Sequence, residues 1–284
     1  MQRVVFEKYQ GTGNDFIVID SRDYDFHKDF LLYNFNSNNL CDRNFGIGAD
    51  GIIFILKPVD KDNDARMVIY NSDNSEAEMC GNGIRCLIKF LKDTSFNNLK
   101  YEYRIETKAG LKVSTYDKGK IRVNMGKPFF DSQIIPTSIS EKIKNIPAKN
   151  YETNNFISTG YACSMGNPHL VFFVDNLKNI NLYELGPLFE KDECFPQKTN
   201  VHFCKIINRE NIDVLVWERG AGATLACGTG ACAIHSVAFR LGYCRNKSRI
   251  KLPGGILDIE WEDKMDDVYM TGSAKKVFSG QYDY

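Results

Sequence analysis

Short apolar blocks separated by glycine-rich turns fill the first seventy residues. Val4-Val5-Phe6 precedes the turn Gly11-Thr12-Gly13-Asn14-Asp15, and the apolar run Phe16-Ile17-Val18-Ile19 follows it. A second turn, Gly46-Ile47-Gly48-Ala49-Asp50-Gly51, leads into Ile52-Ile53-Phe54-Ile55-Leu56, and Arg66 to Tyr70 makes a further block that delivers Asn71 to the polar loop Ser72 to Glu78. Blocks of four to eight such residues bounded by turn formers predict β-strands. From Ile84 the period changes: Ile84, Leu87, Ile88 and Leu91 fall at i, i+3, i+4 and i+7, which predicts a helix. Strand character returns at Tyr101 to Thr107 and Lys120 to Val123.

The second half repeats the scheme. Gly166-Asn167-Pro168-His169 precedes Leu170 to Asp175 as Gly13-Asn14-Asp15 precedes Phe16 to Asp20, and Val214-Leu215-Val216-Trp217 matches Met67 to Tyr70. Ala231 to Leu241 is apolar on nearly every side, broken only by His235, Ser236 and Arg240, so that helix should be buried in the middle of its domain. The predicted fold class is α+β: two pseudo-symmetric domains, each a strand-rich, barrel-like sheet wrapped around a central helix. The expected boundaries are 1–126, with the tail 272–284 returning to that domain, and 127–271. The polar stretch from Asp131 to Asn155, with Pro136 and Pro147, is expected to contain the crossover, and the short polar tail after Gly280 adds little.

Composition narrows the class. At 284 residues the chain exceeds one typical domain, and 43% hydrophobic content suffices for two cores. The 36 basic and 36 acidic residues balance, which gives no reason to expect a nucleic-acid or anionic-membrane partner. No apolar run approaches the roughly 18 residues of a membrane span. Met1 to Lys8 lacks signal-peptide architecture and reads as a first strand. The nine cysteines are odd in number and form no Cys-x-x-Cys pair, so free thiols in a reducing cytoplasm are expected, with no metal site.

Two segments repeat one chemical device. Tyr70-Asn71 leads to Cys80-Gly81-Asn82-Gly83, and Trp217-Glu218 leads to Cys227-Gly228-Thr229-Gly230. Each aromatic–polar pair begins ten residues before a cysteine that opens a helix, and the cysteines lie 147 residues apart. The asparagines Asn14 and Asn167 are 153 apart. A cysteine at a helix start faces free backbone N–H groups and the positive end of the helix dipole, which favour thiolate. Gly81 and Gly228 would let backbone donors approach a bound carboxylate closely. Two such thiols on either side of a shared cleft would suit inversion of a carbon centre. A cysteine before Gly-x-Gly also serves simply as a small buried residue at a helix start, and duplication alone would account for the register.

Taken in order, the motifs identify the chain as similar to diaminopimelate epimerases over almost its whole length. They are Gly11-Thr12-Gly13-Asn14-Asp15-Phe16, Asn44 to Gly51, Tyr70-Asn71 through Cys86, Met165 to His169, Thr199-Asn200-Val201, Glu218 to Gly222, Ala226 to Gly230, Leu252 to Gly255 and Tyr269 to Gly272. The resemblance implies an epimerase that needs no cofactor. Cys227 would remove the α-proton of LL-diaminopimelate and Cys80 would deliver one from the opposite face. Gly81, Asn82, Gly228 and Thr229 would hold the reacting carboxylate, and Asn14, Asn71, Asn167, Asn200, Glu218 and Arg219 the rest of the substrate. His169 and Glu218 would orient the reacting ends, and Tyr269 would make a homodimer contact.

Asn14 and Asn167 could instead only hold turns, and His169 could be a satisfied structural histidine. Arg219 offers the planar fork a distal carboxylate needs. Two positions depart from the family: Gly51, where some members carry glutamine, and Ala223, where an acidic residue is frequent. Proline racemase-like or hydroxyproline epimerase-like activity is the nearest rival, and a thiol-redox protein pairing Cys80 with Cys227 is a rival of another class. A phosphate-binding module is excluded, because neither glycine run completes a P-loop or dinucleotide pattern.

Overall fold

The computed structural model describes residues 3–23, 36–95, 100–153, 156–261 and 267–283. Met1 and Gln2 of the predicted first strand, and Asn154 and Asn155 of the predicted crossover, lie outside the described residues. The chain divides into two compact units, Met1–Val123 with Thr271–Tyr284, and Asn124–Met270.

In the first unit the elements are β1 (Arg3–Gly11), β2 (Asn14–Asp20), α1 (Ser37–Cys41), β3 (Gly51–Leu56), β4 (Ala65–Asn71), β5 (Glu76–Ala77), α2 (Gly81–Thr94), β6 (Glu102–Thr107) and β7 (Gly110–Asp117), and β8 (Lys120–Gly126) begins there. Strands β1 and β2 form a hairpin whose two-residue turn, Thr12-Gly13, has positive φ at both positions (59° and 82°). That is the primed turn geometry matching the twist of paired strands. The pairing then runs β2 parallel to β3, β3 antiparallel to β4, β4 parallel to β6, and β6 antiparallel to β7. The C-terminal strand Lys275–Asp283 pairs antiparallel with β1 along its length. The short polar tail after Gly280 continues this strand through Asp283. Helix α2 packs against β1 to β4, and Ile84, Cys86, Leu87 and Ile88 are all buried.

The second unit contains β9 (Lys142–Ile143), β10 (Ile146–Thr153), β11 (Phe156–Ser164), β12 (Pro168–Phe173), α3 (Leu182–Glu190), β13 (Asn200–Asn208), β14 (Asn211–Glu218), β15 (Gly222–Ala223), α4 (Gly228–Leu241), β16 (Lys247–Leu252) and β17 (Gly255–Glu260), with most of the straddling β18 (Val268–Ser273). Its pairing order repeats that of the first unit: β11 antiparallel to β12, β12 parallel to β13, β13 antiparallel to β14, β14 parallel to β16, β16 antiparallel to β17. Part of the stretch expected to contain the crossover is strand β10, in which Ile146, Pro147, Ala148 and Tyr151 are buried. Aromatic rings dominate this core: Tyr151, Phe156, Phe172, Phe189 and Phe203 meet with centroids 4.9 to 6.3 Å apart. Edge and offset contacts of this kind add about 0.5–1.5 kcal/mol each beyond the area they bury. Helix α4 packs against β11, β12, β13, β16 and β17, and His235 and Ser236, two of the three polar residues breaking its apolar run, are buried with it. The fold is α+β, with each sheet carrying one long buried helix.

Candidate active site

Each conspicuous cysteine caps the N-terminus of its unit's long helix. Cys80 and Cys227 have extended backbones (φ −136° and −117°), and each sulfur accepts from the N–H of the third helical residue, Gly83 and Gly230, at 3.4 Å in both. A sulfur here stands where Ser or Asp usually caps, meeting N–H groups that the helix cannot satisfy itself. Cys227 is buried, and Cys80 is partly exposed. All nine cysteines are free thiols.

In the first unit Asn14, at the start of β2, reaches α2. Its Nδ2 donates to Asp50 Oδ2 at 2.7 Å, so its Oδ1 faces the helix start, accepting from Asn82 Nδ2 at 3.1 Å with the Cys80 sulfur at 3.8 Å. Asp50 also accepts from the Asp15 N–H and from Arg43, and Asp15 pairs with Arg43 at 2.7 Å and with buried Lys8 at 2.8 Å. This lattice pins the turn that holds Asn14. Asn71 ends β4 in register with Gly51 and donates to Ser75 Oγ at 2.9 Å; it belongs to the same sheet and is exposed.

In the second unit Asn167, Asn200, Glu218, Cys227 and Thr229 converge. Asn167 Nδ2 lies 3.5 Å from Thr229 Oγ1, which is 3.5 Å from the Cys227 sulfur. Burial pushes the Cys227 thiol well above its ordinary pKa; the neighbouring Glu218 carboxylate, which accepts from the thiol, adds to this, while Thr229 and the Gly230 N–H oppose it. Glu218 accepts from Thr224 Oγ1 at 2.5 Å. Asn200 is buried and turned inward: Oδ1 accepts from the Arg219 N–H at 3.0 Å and Nδ2 donates to the Pro168 carbonyl at 2.8 Å. The exposed Arg219 side chain donates to the Gln197 carbonyl at 3.0 Å. Tyr269 lies in β18 and is half-buried.

His169 is fully buried in β12, with Nε2 2.9 Å from Asn167 Oδ1 and Nδ1 2.9 Å from His202 Nε2. Burial, and then the charges of His202 and Arg219, press its pKa well below 6.5, and burial takes His202 to about 3. Both rings are neutral at pH 7.

Three supporting residues were not singled out from sequence. His202 backs His169. Glu190, 5% exposed, accepts from Trp217 Nε1 at 2.8 Å and from the Gly220 N–H at 3.1 Å, which braces the loop carrying Glu218 and Arg219. Arg85, fully buried in α2, donates to Thr12 Oγ1 at 2.8 Å and to the Ser273 carbonyl at 3.3 Å, which ties the turn beside Asn14 to the helix. Aligning the two halves would have marked Arg85 and His202, since their counterparts by offset and register are Cys232 and Ile53. Glu190 had no such signal.

Among the described residues no group of three or more His, Cys, Asp or Glu is gathered as a metal site, and no helix is long and apolar enough to cross a membrane.

Comparison with known proteins shows the fold and the family. Among solved structures, the phenazine biosynthesis protein of the PhzF family from Bacillus anthracis superposes with a TM-score of 0.72 at 15% identity, covering 100% of both chains. A hydroxyproline epimerase from Agrobacterium vitis gives 0.70 at 13% identity, over 99% of this chain and 91% of that one. These likenesses establish the fold. In sequence, the chain is 49% identical over 283 residues to the diaminopimelate epimerase of Prochlorococcus marinus strain NATL1A, with 98% of each covered. It is 45% identical over 280 residues to that of Synechocystis sp., covering 97% of this chain and 98% of the relative. The diaminopimelate epimerase family pattern matches residues 6–130 and 161–277, which takes in both cysteine turns, and the chain belongs to that family.

Proposed function

We propose that the protein is an isomerase that interconverts LL- and meso-diaminopimelate by two-thiol proton transfer, as a step of lysine biosynthesis. The observation that carries the mechanism is the repeated cap: two cysteines in a family of epimerases, each held at a helix start by the same N–H contact at 3.4 Å. Cys227 as thiolate takes the α-proton of the LL isomer, and Cys80 as thiol gives a proton to the opposite face of the carbanion-like centre. The reaction leaves Cys227 protonated and Cys80 ionised, and the reverse reaction exchanges the roles. Backbone N–H groups at Gly81-Asn82 and Gly228-Thr229 hold the reacting carboxylate, where two helix N-termini stabilise the charge that develops as the proton leaves. Asn14, Asn71, Asn167, Asn200 and Arg219 position the remainder of the substrate. Glu218 orients the Cys227 thiol, and His169 acts on it through Asn167 and Thr229. No cofactor is required. Donors aimed at the developing carbanion-like charge in a dry, preorganised site do what an electron-withdrawing cofactor would otherwise do.

Relatives at 43–50% identity that are all diaminopimelate epimerases favour this substrate over proline or hydroxyproline, whose enzymes share the fold at far lower identity. We place the enzyme in the cytoplasm as a homodimer with Tyr269 at the contact, and sedimentation of the wild type against Tyr269→Glu tests the contact.

The deciding experiment is proton NMR of the reduced protein with LL-diaminopimelate in deuterated water, with EDTA present, beside Cys80→Ala and Cys227→Ala. Deuterium at one α-carbon together with meso product in the wild type, and no epimerisation by either variant, is the expected result. An unchanged substrate spectrum with reduced wild type would overturn the assignment, and proline and hydroxyproline would then be tried.

A further inference from the structure

The duplication provides an internal control for the buried histidines. Phe16 faces Gly51 in register as His169 faces Asn200, and Val18 faces Ile53 as Val171 faces His202. The first unit therefore holds Phe16 and Ile53 where the second holds His169 and His202, and all four are buried. The packing confirms the correspondence. A Cβ on Gly83 would stand 3.2 Å from Ile53 Cδ1, and one on Gly230 would stand 2.4 Å from His202 Cε1. Hydrocarbon satisfies this place in the fold. Two imidazoles there cost desolvation unless their nitrogens are bonded, so the fold alone does not account for them.

Their hydrogen bonds run in one direction. His202 Nδ1 is buried without a partner. A bare buried N–H is rarer and costlier than a bare acceptor, so the proton sits on Nε2. His202 Nε2–H then donates to His169 Nδ1, and neutral His169 must donate from Nε2 to Asn167 Oδ1. That turns Asn167 Nδ2 toward Thr229 Oγ1, and the Thr229 hydroxyl proton is free to point at the Cys227 sulfur. The thiol's own proton is engaged by Glu218, which can only accept, so Thr229 has no reason to accept from the sulfur. In the first unit the direction is opposite. Asp50 can only accept, so it takes Asn14 Nδ2 and leaves the Asn14 carbonyl facing Cys80.

We propose that His202 is a positioning residue that sets the row His169–Asn167–Thr229 to donate toward Cys227, while Asp50 sets Asn14 to accept from Cys80. Two thiols placed alike by duplication thereby meet opposite partners. A thiolate at Cys227 finds a donor, and a thiol at Cys80 finds an acceptor. Burial and Glu218 still hold the Cys227 proton on in the resting protein; the donor row acts on the thiolate once it forms. Successive bonds in such a row polarise one another, so its far end matters at the sulfur.

The test is side-chain ¹⁵N NMR of the full, reduced protein, which has only four histidines. The wild type should show His169 and His202 neutral with the proton on Nε2; a proton on Nδ1 of either ring would overturn the proposal. His202→Gln keeps a donor for His169 Nδ1 and should preserve both the His169 tautomer and turnover. His202→Leu should give a mixed His169 tautomer and lower kcat about tenfold with little change in KM, the scale on which orienting partners act. A Leu variant with wild-type tautomer and kcat, or a Gln variant no better than Leu, also overturns it. The turnover arm rests on the epimerase reading and the tautomer arm does not, so a wild type inactive on LL-diaminopimelate would sink that reading while the NMR still decides this one.

Discussion

At the scale of single residues, the two helix-start glycines measure how far the halves have diverged. Gly83 and Gly230 both give their N–H to the capping sulfur, and an alanine would keep that donor, although on Gly230 its methyl would also press on the Cys227 sulfur at 3.1 Å. Its surroundings differ. On Gly83 it would press on the Cδ1 atoms of Ile53 and Ile69 at 3.2 and 3.3 Å, flexible ends that can give. On Gly230 it would meet the His202 ring at 2.4 and 2.9 Å, and that ring is held by His169. Alanine gains about 1 kcal/mol over glycine in a helix, while overpacking a rigid site costs about 1–3 kcal/mol. Gly83→Ala should therefore be near neutral in urea unfolding, and Gly230→Ala should lose stability. Equal unfolding midpoints for the two would refute the asymmetry. The thiols and their glycines were legible in the sequence because they sit in contiguous motifs. The direction of the asparagine amides was not, because it is set by Asp50, 36 residues from Asn14 in the loop before β3, and by His202 of β13 acting through His169.

Elements were legible where one face repeats and illegible where few residues carry the pattern. The 14-residue helix after Cys80 announces itself by period and the one after Cys227 by its long apolar run, and the sulfur caps follow from position. Strand Ile146–Thr153 was hidden because its buried residues, Ile146, Pro147, Ala148 and Tyr151, do not alternate with its polar ones and include a proline, and the C-terminal strand because most of its residues are exposed. At this scale cap and catalyst separate. Serine caps at least as well as cysteine but is far less acidic. Cys80→Ser and Cys227→Ser should keep thermal stability within about 1 kcal/mol of wild type yet abolish epimerisation. A large drop in melting temperature would show that the sulfurs are structural first. The brace on the second loop is tested the same way. Glu190 satisfies two donors, Trp217 Nε1 and the Gly220 N–H, with two oxygens. Glu190→Gln sets an NH₂ against one of them and should cost about 1–3 kcal/mol by urea denaturation. Because Arg219 lies between the two anchors, KM for diaminopimelate should rise more than kcat falls; the reverse split would place Glu190 with the chemistry rather than the loop.

For the whole molecule, duplication is the organising fact, and the repeated pairing order of the two sheets shows it more completely than the motifs do. What duplication does not share also governs the response to acid. Among the described residues the three histidines, His169, His202 and His235, all lie in the second unit and all are fully buried. Burial holds His202 to about 3 and His235 to about 4, and burial, His202 and Arg219 hold His169 well below 6.5. Unfolded, each ring titrates near 6.5. Below that pH the unfolded chain takes up protons that the folded chain refuses, so the sign is fixed: stability rises with pH between the folded and unfolded values. The contribution is fully present above pH 6.5 and is lost as pH falls toward 4, at about 1.4 kcal/mol per pH unit for each histidine. Unfolding free energies from urea at pH 7.5, 6.0 and 5.0 should show this slope steepening below 6.5. His202→Gln removes one of the three rings while keeping the hydrogen bond, so it should flatten the slope by about a third without moving the plateau by a comparable amount. A slope that is the same in variant and wild type would mean that His202 is protonated in the folded protein, which its buried, half-bonded ring does not allow.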